Sequence, residues 1–126
     1  MPDLNTLPRA SDEAAVVTKA VLRAAERLAL PNRALAGILG LSEATISRMG
    51  SGTYQLTPGD KPFEIAVLFL RLFRALDAIV GGDAAAARAW LRGENTVLGA
   101  TPVSLIQSVS GLVNVVGYLD ARRALI

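Results

Sequence analysis

The stretch "KPFEIAVLFLRLFRALDAIV", Lys61 to Val80, constrains the fold more than any other part of the chain. Pro62 suits the first turn of a helix, and Gly81-Gly82 stops it. Between them Ile65, Leu68, Phe69, Leu72, Leu76 and Ile79 recur as one helical stripe, and Val67, Leu70, Phe73 and Val80 widen it past a single face. A helix this broadly apolar must be covered on two sides. The N-terminal helices supply one cover, and either the C-terminal part or a second copy of the chain supplies the other. The greasiest run, "IAVLFLRLF", is too short to cross a bilayer and is broken by Arg71.

The flanking sequence is helical as well, which predicts an all-α fold. Residues 1–10 hold two prolines and no periodicity and are expected to form a flexible arm. Ser11 is placed as a cap before Asp12 and Glu13, and Val17, Ala20, Val21, Ala24 and Leu28 then share one face of a helix that ends before Pro31. Lys19, Arg23 and Arg27 form a basic stripe on its other side, either a solvated face or a contact to phosphate or partner. After Gly82, "DAAAARAWLRG" is a helix capped by Asp83, and Thr101 with Pro102 starts another, which Gly111 is expected to end and Gly117 to interrupt. No alternating β-branched run is present. The expected organisation is an arm at 1–10, one domain over 11–62, and a long helix with a C-terminal domain over 63–126.

Several kinds of chemistry are excluded outright. With no cysteine and no histidine the chain holds no disulfide framework, no zinc ribbon and no thiol or imidazole catalyst. No carboxylate pair sits on an apolar helix face, and "GGDAAAA" lacks the lysine and second glycine of a phosphate loop. A non-enzyme without metal or cofactor is expected, cytoplasmic because no signal segment opens the chain. The first sixty residues balance six basic against six acidic side chains, so affinity for nucleic acid depends on local placement.

That placement centres on "AGILGLSEATISRMGSG", Ala36 to Gly52. A helix-turn-helix needs a small residue where its helices pack closest, a glycine at the turn and a branched apolar residue inside the second helix. Ala36, Gly40 and Ile46 occupy those positions, Leu35, Leu39, Leu41 and Met49 fill the core around them, and Ser42 caps the second helix. The segment resembles the helix-turn-helix of Xre-type transcriptional regulators. By that resemblance Ser42, Glu43, Thr45, Ser47 and Arg48 face bases and phosphates of operator DNA, with Arg33 and Thr53 flanking on the backbone. This face carries one arginine and no Asn or Gln, so a single half-site binds modestly and a homodimer doubles the contacts. A scaffold that no longer binds DNA is the alternative.

A second pattern follows: Trp90-Leu91, Asn95, Leu98-Gly99, Thr101-Pro102, Leu105-Ile106, Gly111, Val115 and Leu119. In order and spacing it resembles the toxin-binding domain of the MbcA/ParS/Xre antitoxin family, over roughly Phe69 to Ile126. The resemblance implies an antitoxin of a type II toxin-antitoxin system, one that blocks the active-site cleft of a RES-domain toxin acting on NAD and represses its own operon. The toxin-contact residues it implies are Trp90, Asn95, Pro102, Asp120, Arg122, Arg123, Leu125 and Ile126. Trp90 has a second reading as a plug of the C-terminal core, and the two arginines have one as cations on a helix end. The competing function is a stand-alone dimeric Xre-like regulator without a toxin partner.

Overall fold

The computed structural model describes residues 10–125, so the expected arm lies outside the described residues apart from Ala10. Helix α1 spans Ala10–Arg27, beginning one residue before the expected cap. It ends where Ala29 turns left-handed, at φ 55°, with the Leu30 amide donating to the Ala25 carbonyl at 2.8 Å. Glycine normally takes such a position, because a Cβ crowds the backbone there. Helix α1 leaves orphan carbonyls at this end, and α5 (Ala84–Arg92) reaches across to satisfy them. Arg88 Nε donates to the Arg27 carbonyl at 2.8 Å, and Arg92 donates to the carbonyls of Leu28 at 3.1 Å and Ala29 at 2.8 Å.

Helix α2 (Asn32–Leu39) and helix α3 (Glu43–Ser51) form the expected helix-turn-helix. Gly40 turns left-handed at φ 72°, which only a residue without Cβ adopts freely, and Ser42 Oγ caps α3 by accepting from the Thr45 amide at 3.1 Å. Leu35, Ala36, Ile38 and Leu39 of α2 and Ile46 and Met49 of α3 are buried. The loop that follows is pinned to α1 by the buried Thr18 hydroxyl, which accepts from the Leu56 amide at 3.0 Å.

Helix α4 (Lys61–Ile79) is the central beam. Ala66, Phe69, Leu72, Ala75 and Leu76 are fully buried, and α1 and α2 pack against α4 on one side while α7 (Val109–Arg123) packs along the other. The second cover therefore comes from the chain's own C-terminal part. The basic stripe on α1 splits: Arg27 donates to the Gly82 carbonyl at 2.5 Å and sits 3.7 Å from Asp77, tying α1 to the end of α4.

Between α5 and α7, residues Asn95 and Ala100 form an isolated bridge that closes a tight loop, and the short helix α6 (Pro102–Leu105) follows. Thr101 stands at the cap position of α6 but bonds Ser104 Oγ instead of a helix amide. The break expected at Gly111 falls earlier, at 106–108, where Ser108 Oγ caps α7 by accepting from the Gly111 amide at 3.1 Å. Gly111 lies inside the first turn because α6 crosses too close for a side chain: a Cβ there would stand 1.9 Å from the Leu105 carbonyl oxygen. Helix α7 runs through Gly117 without interruption. There is no strand among the described residues, and no described helix is long and apolar enough to cross a membrane.

Candidate DNA-reading face and partner surface

The exposed side of α3 carries a chain of polar contacts. Ser42 Oγ lies 2.8 Å from Thr45 Oγ1, which in turn accepts from Arg48 Nη2 at 3.0 Å. The three side chains stand one turn apart, so helical spacing alone brings them together. Thr45 is half-buried, whereas Ser42, Glu43, Ser47 and Arg48 are exposed. The guanidinium is thus held along the helix, its direction set before any ligand arrives. Thr53 stands past the end of α3, its hydroxyl 3.0 Å from that of Ser51 and its amide donating to the Arg48 carbonyl at 2.9 Å. Arg33, on the first turn of α2, is exposed beside Ala34, Gly37 and Gln107. Gln107 went unnoticed in the sequence, yet its Nε2 donates to the Ala34 carbonyl at 3.1 Å and joins the helix-turn-helix to the loop before α7. A lone polar residue in the turn between α6 and α7 carries no signal of a partner 73 residues away.

On the opposite half, α5, the loop after it and α7 build an aromatic cluster. The rings of Trp90 and Tyr118 stack with centroids 6.2 Å apart and an interplanar angle of 18°. Arg122 lies over Tyr118, its guanidinium carbon 5.8 Å from the ring centre, and its Nη1 donates to the phenolic oxygen at 3.3 Å. Hydrogen bonds from Arg122 and then from Asn95 hold the Tyr118 hydroxyl below its usual pKa of 10.0. Asn95 Oδ1 also accepts from the amides of Val97 at 3.1 Å and Leu98 at 3.0 Å, which shapes the loop. Trp90 is half-buried, and the fully buried plug of this region is its neighbour Leu91. Tyr118 was missed in the sequence, although its position four residues before Arg122 is the helical spacing for such a contact.

The remaining expected contact residues separate from this cluster. Pro102 is buried and presents no surface. Asp120 accepts from Arg71 Nη2 at 2.6 Å, and Arg123 lines a groove with Arg71 and Arg74, so the adjacent arginines Arg122 and Arg123 serve different faces. Leu125 is 87% exposed just beyond α7, and Ile126 lies outside the described residues.

This architecture is that of a helix-turn-helix protein, its second helix exposed, joined to a separate helical half. Family models make the assignment specific: the antitoxin Xre-like helix-turn-helix domain matches residues 8–71, and the antitoxin Xre/MbcA/ParS C-terminal toxin-binding domain matches residues 75–124. The chain belongs to the Xre/MbcA/ParS antitoxin family. Its fold is shared with a chain in the crystal structure of the M. tuberculosis MbcT-MbcA toxin-antitoxin complex. That likeness has a TM-score of 0.66 at 21% identity and covers 88% of this chain and 96% of the other. A search of curated proteins finds no match.

Proposed function

We propose that the chain is the antitoxin of a type II toxin-antitoxin pair, acting in the cytoplasm as a non-enzymatic homodimer. It obstructs the active-site cleft of a RES-domain toxin that consumes NAD or transfers its ADP-ribose, and it represses its own operon through α3. The observation that carries the reading is the aromatic and cationic cluster of Trp90, Asn95, Tyr118 and Arg122, which lies within the matched toxin-binding stretch. Aromatic and arginine anchors of this kind dominate protein interfaces, and a guanidinium pairs with carboxylates lining a cleft or with the phosphates of a bound nucleotide. Co-expression with a RES-domain toxin, sought first in the neighbouring reading frame, tests this directly. Tyr118→Ala combined with Arg122→Glu should release toxicity while leaving helicity intact; full protection by that variant removes the cluster from the interface.

Operator binding is tested separately. Arg48→Ala should weaken a gel shift on the upstream palindrome by about 1–3 kcal/mol, and Thr45→Ala should weaken it by less, because it only frees the guanidinium from its tether. Unchanged shifts for both would leave α3 a scaffold. Should no toxin be recovered with the protein from its host, the stand-alone regulator becomes the better reading.

A further inference from the structure

Where α1, α4 and α7 meet, the fold leaves an apolar strip uncovered beside the central helix. Val16 is 67% and Val67 47% exposed, and Val17 and Leu70 lie between them at the floor of a groove. Val16 of α1 and Val67 of α4 thus stand in water side by side with the groove, and a partner seated there would remove their apolar surface from solvent. Charge is graded along the strip. Glu13 stands beside Phe63 at the start of α4, whereas Arg71, Arg74 and Arg123 rim the groove two to three turns further on, about 16 Å along the helix. Arg71 is matched by Asp120, but Arg74 and Arg123 have no ion pair among the described residues.

A strip that is acidic at one end, apolar in the middle and basic at the other is complementary to itself turned end for end. A two-fold axis passing near Val67 sets the Glu13 end of one copy on the Arg74 end of the next and buries the valines against each other, which is the isologous arrangement of a closed dimer. We infer that this groove is the dimer interface, its occupant a second copy of the chain. The inference rests on the proposed homodimer for its motive and adds the face, the axis and the residues that make it.

Charge exchange gives a sharp test by sedimentation of the full chain at micromolar concentration. Glu13→Arg alone and Arg74→Glu alone should each raise the dimer dissociation constant about tenfold or more, since the two-fold axis makes every exchanged pair repel twice. Mixing the two variants should restore dimers, because in the heterodimer both pairs are again opposite in sign. Val67→Asp should leave circular dichroism unchanged and abolish dimers. A monomeric natural chain sinks both this inference and the homodimer, whereas a dimer unaffected by Val67→Asp, or unrestored by mixing, sinks the interface alone. If the natural chain is monomeric and removing residues 1–9 makes it dimerise, the groove belongs to the chain's own N-terminal segment; if Val67→Asp instead abolishes toxin binding, it belongs to the toxin. Either result overturns the inference.

Discussion

Ala29 holds a backbone conformation, φ 55°, that costs an alanine about 1–2 kcal/mol. Glycine removes that strain and gives back about 0.5–1 kcal/mol through its freer unfolded chain. Ala29→Gly should therefore stabilise the protein by roughly 0.5–1 kcal/mol in a urea titration, which is the opposite of what glycine does inside a helix. Tyr118 offers a second single-residue readout. Because Arg122 favours the phenolate, the folded pKa lies below 10.0 and the group binds fewer protons than in the unfolded chain as pH rises past it. The added stability appears only as pH climbs through the folded pKa toward 10.0, and it is absent at neutral pH. Arg122→Gln should move the phenolate absorbance transition back up toward 10.0. Residues such as Ser42 and Gly40 were legible in the sequence because a cap and a left-handed turn are local demands. Gly111 was not, since its glycine is required by the carbonyl of Leu105, which only the crossing of α6 brings near.

Among the elements, α1 depends on a helix more than sixty residues later. Arg92 satisfies two carbonyls at its end, and Arg92→Ala should cost about 1–2 kcal/mol in thermal unfolding. Arg92→Lys should recover part of that at most, because an ammonium cannot span both acceptors as the guanidinium fork does. Helix positions were readable from periodicity and capping, whereas these cross-chain arginines were invisible because nothing in "ARAWLRG" distinguishes them from ordinary surface cations. Helix α7 also decides where the C-terminal end can be cut. Arg122 and Arg123 belong to its last turn, and Asp120 is tied to Arg71, so a truncation at Asp120 removes structure along with any contact. Removing residues 124–126 is the cleaner experiment. With Leu125 87% exposed, that deletion should leave stability within about 0.5 kcal/mol, and any loss of toxin inhibition then reports a direct contact.

At the scale of the whole molecule, the apolar excess of Lys61–Ile79 required two covers, and the fold meets most of that requirement from within one chain, leaving Val67 half exposed. Spacing measures how much surface must be hidden but not what hides it, which is why α7 and a second copy were indistinguishable beforehand. The two matched stretches, 8–71 and 75–124, meet inside α4, so the helix-turn-helix domain and the C-terminal domain share one continuous helix. A rod of this kind fixes angular phase. One residue inserted near Arg71 turns everything beyond it by about 100° and swings the seat of α7 away from its own helix, so such an insertion should abolish cooperative unfolding while most exposed substitutions nearby are tolerated. Halves exchanged between relatives would have to be spliced at the same point of the same helical turn, which makes α4 a keyed joint and not a linker.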